Sequence, residues 1–370
     1  MKVLYITNIP SPYRIDFFNE LSKHCDLTVI VERKNAKWRN PEWLKTDNIS
    51  FNIHYLKNIN LGKENVFCPD ALKYIKKEKF DIIVVGGYST LTGMIVIKYL
   101  KRKKIPFVLN CDGGFIKEDS KIKYKIKKYF ISSASAWLST GNETDKYLKF
   151  YGAKEEFIYR YSFTSSMEKD IKKEIIKEDE KEKIKKELGI KEKKVIITVG
   201  QFIYRKGFDI LLQSSKNFPK DIGVYIIGGE PTEEYINIKE ELRLENVYFV
   251  GFKQKSELKK YYKAADLFVL PTREDIWGLV INEAMSYGLP VITTEKCVAG
   301  LELIENSENG YIIPTNNSKE LYEKTIKIIE DDGLRKNMSL NNIEKIRKYT
   351  IENMAIEHMN IFKKIFKKGK

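Results

Sequence analysis

The stretch LFVLPTREDIWGLVINEAMSYGLPVIT, residues 267–293, reads as strand, loop, helix and strand in one pass. Leu267, Phe268, Val269 and Leu270 form a short apolar run, as a strand buried on both faces requires, and Pro271 closes it. A helix is expected from about Trp277 to Tyr287, stopped by Gly288 and Pro290. Val291, Ile292 and Thr293 then open a second β-branched run. Strand, helix and strand in that order make the repeating unit of a parallel sheet.

The same alternation extends along the chain. Apolar runs stand at 3–7, 27–31, 82–85, 107–109 and 137–139, then at 195–199, 224–227, 247–250, 267–270, 291–293 and 311–313. Helical patterns lie between them, for instance at 207–215 and 256–264. The class is therefore α/β, with parallel sheets and crossover helices built twice in 370 residues. Charged residues dominate 169–194, which reads as a solvated seam ending in a helix at 182–188 stopped by Gly189. The expected division is a first domain at 1–166, a charged linker and helix at 167–194, a second domain at 195–350, and an amphipathic helix at 351–370. Ile351, Met354, Ala355, Met359, Phe362, Ile365 and Phe366 give that last segment its helical spacing, and it is expected to pack back towards the first domain.

The net charge of +15 is uneven. Residues 1–166 carry 29 Lys and Arg against 17 Asp and Glu, residues 351–370 carry 5 against 2, and the middle balances to zero. A phosphate-bearing ligand, a polyanion or an anionic membrane surface fits such a chain. Cys25, Cys68, Cys111 and Cys297 are scattered with no Cys-x-x-Cys pair, which suits a reducing compartment and no metal site. No signal peptide is read at the N-terminus, where Asn8 and Pro10 interrupt the apolar run. The longest uncharged run, 82–97, is only 16 residues and contains Gly86 and Gly87, so it reads as strand, turn and helix rather than a membrane span.

In an open α/β sheet, ligands collect at the carboxyl ends of the strands. A helix starting there presents unpaired N–H groups and a partial positive charge, which suits phosphate, and Gly278 allows close backbone approach. Glu283, on the helix, can grip a ribose diol, and Glu274 or Asp275, on the loop, can face what the phosphate carries. The plain alternative makes Asp275 a helix cap and Glu283 a surface acid.

This segment resembles the signature of the family 4 glycosyltransferases (glycosyl transferases group 1). In that family two acids eight positions apart bracket a Gly-Leu-Val run ahead of Glu-Ala-Met. Glu283-Ala284-Met285 matches, and counting back eight reaches Asp275, with Glu274 beside it. The resemblance implies a GT-B fold of two Rossmann-like, doubly wound domains facing a cleft, with donor nucleotide in the second domain and acceptor in the first. It also implies retention of anomeric configuration. VGQFIYRKGFDILL, residues 199–212, is similar to the family's diphosphate clamp, with Lys206 at the phosphate-binding lysine. The family's arginine after the first glycine is Gln201 here, and Arg205 is a candidate to compensate. IIGGEP (226–231) and VYFVGF (247–252) resemble the glycine turn and the base-lining strand. The implied donor set is thus Gly200, Gln201, Lys206, Gly228, Gly229, Val250, Gly251, Phe252, Thr272, Asp275, Ile276, Trp277, Gly278, Leu279, Val280 and Glu283. Asp275, Glu274, Lys206, Arg205 and Asp112 are the implied catalytic groups. The resemblance is strong at 194–329, fair at 2–32 and weak at 35–78.

In the first domain, NIPSPYRIDFFNEL follows the first strand; Ser11 can cap the next helix, with Pro12 at its first position. Arg14 can meet the donor phosphate, the acceptor or a neighbouring acid. Asp112, Gly113 and Gly114 follow another strand. Asp112 is the foremost acceptor contact, orienting the attacking hydroxyl, or else part of a simple Asp-Gly-Gly turn. Thr140 and Gly141 complete the expected acceptor wall, and Asn142 is expected to cap the following helix.

KIKYKIKKYFI, residues 121–131, interleaves five lysines with apolar side chains, and the tail IFKKIFKKGK has the same character. A basic amphipathic helix suits an anionic membrane surface. The expectation is a cytoplasmic enzyme held peripherally on the inner face of the cell membrane. It would move a sugar from a UDP- or GDP-sugar to a lipid-linked glycan in capsule, lipopolysaccharide or exopolysaccharide synthesis. No Asp-x-Asp occurs, so no metal and no cofactor beyond the nucleotide-sugar co-substrate is expected. His24, His54 and His358 lie outside every motif, which argues against a histidine base. A sugar-nucleotide epimerase of similar build would need acid and base groups that the motifs do not supply. A nucleic-acid binder is suggested by charge alone, and the neutral donor half and missing aromatic–basic stacking motif argue against nucleic acid as a partner.

Overall fold

A computed structural model describes residues 1–34, 49–62 and 66–368. The weakly matching segment 35–78 and the C-terminal Gly369 and Lys370 therefore fall partly or wholly outside the described residues. The chain forms two compact units, Met1–Ser165 with Thr350–Lys370, and Ser166–Tyr349.

In the first unit β1 (Lys2–Thr7), α1 (Pro12–Ser22), β2 (Asp26–Val31) and β3 (Asn52–Tyr55) are followed by a small ribbon of β4 (Ile59–Asn60) and β5 (Val66–Phe67). Then come α2 (Ala71–Lys77), β6 (Ile82–Val85), α3 (Leu91–Lys103), β7 (Val108–Cys111), α4 (Lys121–Ile131), β8 (Ala136–Ser139), α5 (Asn142–Phe150) and β9 (Ile158–Arg160). The seven-stranded sheet runs β3-β2-β1-β6-β7-β8-β9, and every neighbouring pair is parallel. Val3, Leu4, Tyr5 and Ile6 are buried together, as a central strand covered on both faces demands. The helix Ile351–Lys368 packs on α1, burying Ile351, Met354, Ala355, His358, Met359, Ile361 and Phe362.

In the second unit α6 (Glu178–Leu188) leads into β10 (Lys194–Val199), α7 (Phe208–Ser215), β11 (Ile222–Ile227), α8 (Glu233–Glu241), β12 (Val247–Val250) and α9 (Lys255–Ala264). The unit continues with β13 (Leu267–Leu270), α10 (Leu279–Ser286), β14 (Val291–Thr294), α11 (Val298–Leu303), β15 (Gly310–Ile313), α12 (Ser318–Glu330) and α13 (Asp332–Ile346); the C-terminal helix of the first unit is α14. Its sheet order is β12-β11-β10-β13-β14-β15, again all parallel. This is the doubly wound order, and it reverses between β10 and β13. In the first unit the reversal lies between β1 and β6. The loops that leave the carboxyl ends of those strands are where each unit offers a crevice.

Several local expectations change. The helix expected from Trp277 begins at Leu279, because Gly278 stands at φ +101° and cannot continue a right-handed turn. Gly278, not Asp275, is the N-cap residue of α10. The seam helix starts at Glu178, where Glu178, Asp179 and Glu180 fill its first turn and complement the helix dipole. Asn142 is the first residue of α5 rather than its cap, which is Gly141. Pro12 does take the first position of α1, although Ser11 makes no capping bond with its side chain.

Candidate active site

The switch point of the second sheet gathers the loop after β10 and the loop after β13. Lys206 Nζ lies 2.6 Å from Asp275 Oδ2, and Arg205 approaches Asp275 Oδ1 at 3.5 Å. One carboxylate thus faces two cations, and the cluster keeps a net positive charge. Asp275 is fixed by its backbone: its N–H donates to Lys296 O at 2.8 Å, and its carbonyl accepts from Val298 N at 3.1 Å. Arg205 also donates to Glu274 O at 2.7 Å, and Thr272 Oγ1 reaches Arg205 O at 2.8 Å and Glu274 O at 3.1 Å. The two loops are thereby tied to each other by groups from both.

Glycine is required at the crossing points. A Cβ on Gly228, at φ +149°, would stand 2.0 Å from Gly200 O, so the first two strand-to-helix loops can touch only without side chains. A Cβ on Gly278 would meet Cys297 Sγ at 2.8 Å. Gly200, Gly228 and Gly229, and Gly251 with Phe252, follow the ends of β10, β11 and β12, and Val250 ends β12. The donor-side residues expected from the sequence therefore line one edge of the sheet. Gln201 and Ile276 are exposed there, while Leu279 and Val280 are half-buried in the first turn of α10, whose first N–H groups have no intrahelical acceptor.

Two of the expected contacts have partners within the protein. Trp277 is 2% exposed and donates from Nε1 to Asn282 Oδ1 at 2.8 Å, so its indole is a packing group under the loop. Glu283 accepts from Tyr262 Oη at 3.1 Å, and Tyr262 stacks on Tyr287. Burial, then the Glu283 charge, pushes the Tyr262 hydroxyl well above its ordinary range, so it remains a donor.

Sequence reading missed Arg273. It forms a fork on Asp209 at 2.8 and 2.6 Å, donates to Tyr204 O at 2.7 Å and stacks 4.0 Å over the Tyr204 ring. It therefore holds the 204–206 segment that carries Arg205 and Lys206. A basic residue directly after the Pro271-Thr272 turn was the available signal.

In the first unit Arg14 is paired with Asp112 and donates to Tyr5 Oη at 3.4 Å. Asp112 Oδ1 accepts from Asn110 Nδ2 at 2.6 Å and from Tyr161 Oη at 3.3 Å. The neighbouring acid expected as one partner of Arg14 is Asp112. Asp112 is more than a turn residue, since both its oxygens are engaged; it keeps partial exposure at the carboxyl end of β7, beside Gly113 and Gly114. Thr140 is buried and bonded to Thr144 Oγ1 at 2.7 Å, which turns it inward, while Gly141 caps α5. The expectation that no histidine lies near a motif is corrected. His358, on α14, packs its ring 4.4 Å from Tyr161 and 4.7 Å from Phe17. Among the described residues no group of three or more His, Cys, Asp or Glu is placed to hold a metal ion.

Residues 180–345 match the family model "Glycosyl transferases group 1". The second unit, which holds those residues, belongs to that family. The chain is 22% identical over 359 residues to an N,N'-diacetylbacillosaminyl-diphospho-undecaprenol alpha-1,3-N-acetylgalactosaminyltransferase of Campylobacter jejuni, covering 95% of this chain and 90% of the relative. Over 156 residues, 41% of each chain, it is 31% identical to the capsular polysaccharide biosynthesis glycosyltransferase CapM of Staphylococcus aureus. Its structure superimposes on Anabaena Alr3699/HepE, solved in complex with UDP, with a TM-score of 0.76 at 18% identity, covering 100% of this chain and 99% of that one. The fold of the chain is GT-B, with two Rossmann-like units.

Proposed function

We propose that this glycosyltransferase moves a hexosyl group from a UDP- or GDP-sugar to a lipid-linked glycan, with retention, in the synthesis of a surface polysaccharide. The observation that carries the donor half of the reading is the cationic pair Lys206 and Arg205 around Asp275, at the carboxyl ends of β10 and β13. A diphosphate leaving group develops negative charge as the glycosidic bond breaks, and fixed cations with the α10 N-terminus lower the cost of that charge without a metal. Lys206 acts as a point charge, Arg205 as a fork, Glu283 grips the ribose, and Asp275 or Glu274 holds the sugar hydroxyls. The UDP in the HepE structure supports the nucleotide, and the undecaprenol-linked name of the Campylobacter relative supports the acceptor class. Asp112, steadied by Arg14 and Tyr161, is the acceptor-side carboxylate in this reading.

The support for a site of action at the membrane is α4. Ile122 is 73% exposed, Ile126 and Tyr129 are exposed beside it, and Lys121, Lys125 and Lys128 flank them. Apolar side chains ringed by lysine suit the interface of an anionic bilayer on the cytoplasmic face. No helix of the described residues is long and apolar enough to cross a membrane.

The test is a transfer assay with UDP- and GDP-sugars and polyprenyl-diphosphate-linked acceptors. Wild type should transfer from one nucleotide class, and Lys206→Ala should lose at least a hundredfold in kcat/KM, about 2.7 kcal/mol of transition-state stabilisation. Unchanged transfer by Lys206→Ala would remove the proposed role of the cation. Conversion of the donor without acceptor would instead mark an epimerase.

A further inference from the structure

We infer that His358 of α14 is a positioning residue for Asp112, acting through Tyr161, so that the C-terminal segment is a working part of the acceptor side. The inference rests on the reading of Asp112 as the acceptor-side carboxylate.

Two consecutive residues of α14 grip two consecutive residues of the segment after β9. Glu357 accepts from Ser162 N at 2.6 Å and from Ser162 Oγ at 3.0 Å. His358 lays its ring edge-on to Tyr161 with centroids 4.4 Å apart, and it also packs against the rings of Phe17 of α1 and Phe362 of its own helix. Tyr161 is buried, and its hydroxyl reaches Asp112 Oδ1 at 3.3 Å and Asn110 Oδ1 at 3.2 Å. A phenol can steady a carboxylate only while it keeps its proton. Burial first, and the Asp112 charge second, hold the Tyr161 hydroxyl well above its ordinary range, so it donates at every working pH.

The ring of His358 is placed for this task rather than for proton transfer. Its Nδ1 lies 2.7 Å from Met354 O, which fixes that nitrogen as the donor and leaves Nε2 bare. Nε2 is buried with no hydrogen-bond partner, so the ring presents a neutral aromatic face whose one N–H is committed to Met354 O. The groups around it are Arg14 on α1, Asp112 at the end of β7 and Tyr161, and burial followed by the Arg14 charge keeps it neutral.

The experiment is a double-mutant cycle on the full chain, with Asp112→Asn as reference. Rates of transfer to a lipid-linked acceptor are read beside donor hydrolysis, in which water replaces the acceptor. His358→Ala and Tyr161→Phe are each expected to raise the acceptor KM about tenfold with little change in kcat or donor hydrolysis. The double variant should be no worse than either single, because both break the same link. His358→Phe, which keeps the ring, should recover at least half of the loss and covers the case in which His358→Ala fails to fold. Losses that multiply in the double variant, or an acceptor KM unmoved by His358→Ala while Asp112→Asn raises it, would overturn the link alone. Unchanged transfer by Asp112→Asn would overturn the acceptor-side reading and the link with it.

Discussion

Lys206 Nζ and Asp275 Oδ2 sit 2.6 Å apart, joining the loops that leave β10 and β13. The carboxylate holds the lysine in place and also occupies the charge that a diphosphate would claim. Asp275→Asn should therefore bind a bare nucleoside diphosphate severalfold more tightly while transferring sugar at least a hundredfold more slowly. Titration calorimetry and the transfer assay, run on one preparation, read both signs. Weaker diphosphate binding by Asp275→Asn would mean the acid serves mainly to orient the cations.

Arg273 acts on the same loop from the side. Arg273→Ala removes its fork on Asp209 and its stacking on Tyr204. The donor KM should rise about tenfold with kcat reduced less, because the loop loses order but keeps Lys206. Steady-state kinetics over donor concentration decide it.

Gly278→Ala introduces a Cβ 2.8 Å from Cys297 Sγ, at a backbone angle of +101°. The combined strain should cost about 1–3 kcal/mol. Denaturant unfolding followed by tryptophan fluorescence is suited to this, since Trp277 is buried next to the change.

Two buried groups give the first unit opposing pH dependences. His358 is pushed down to about 4, so the folded state refuses a proton that the unfolded chain accepts below its ordinary value of 6.5. Its contribution is complete above that value and is lost as pH falls towards 4, a swing of about 3 kcal/mol. Glu32, with Thr90 Oγ1 donating to it at 2.7 Å, is pushed up to about 7, chiefly by burial. Its folded pKa is the raised one, so stability is lost as pH rises from about 4.5 to about 7. The two slopes offset each other across their shared window. Glu32→Gln should thus be more stable than wild type at pH 8, and its stability should climb steeply between about pH 4 and 6.5. Urea unfolding at a series of pH values checks this, and a Glu32→Gln profile parallel to wild type would contradict it.

The membrane reading separates on α4. Ile122→Glu with Ile126→Glu should abolish co-sedimentation with phosphatidylserine vesicles and leave binding of UDP or GDP unchanged, because neither residue belongs to the second unit. Equal binding of wild type to neutral and anionic vesicles, or anionic-vesicle binding unmoved by the two substitutions, would point away from the charge-assisted surface.

Much of this architecture is legible before any coordinates. The strands of the second unit announce themselves because parallel strands buried on both faces are unbroken apolar runs, as Val224–Ile227 within β11 and Leu267–Leu270 show. The edges are harder. β3, with the sequence NIHY, and β9, three residues long, are exposed or half-buried along their length and carry little apolar signal. In the site, the loop positions of Lys206, Asp275 and Gly278 follow from local motif and spacing. The Asp209–Arg273 fork joins residues 64 apart in sequence, and its pairing depends on the sheet bringing β10 beside β13. His358 was hidden for the same reason: its neighbours Phe17 and Tyr161 come from distant segments, and only the return of α14 onto α1 unites them. Trp277 is the reverse case: its place in the motif is legible, and the packing of its indole beneath the loop is not.

The most direct test is calorimetric titration of UDP and of GDP into wild type and Lys206→Ala. One nucleotide should bind wild type, and the substitution should weaken it at least tenfold, about 1.4 kcal/mol. Equal affinity in the two proteins, or no binding of either nucleotide to wild type, would contradict a diphosphate site built on Lys206.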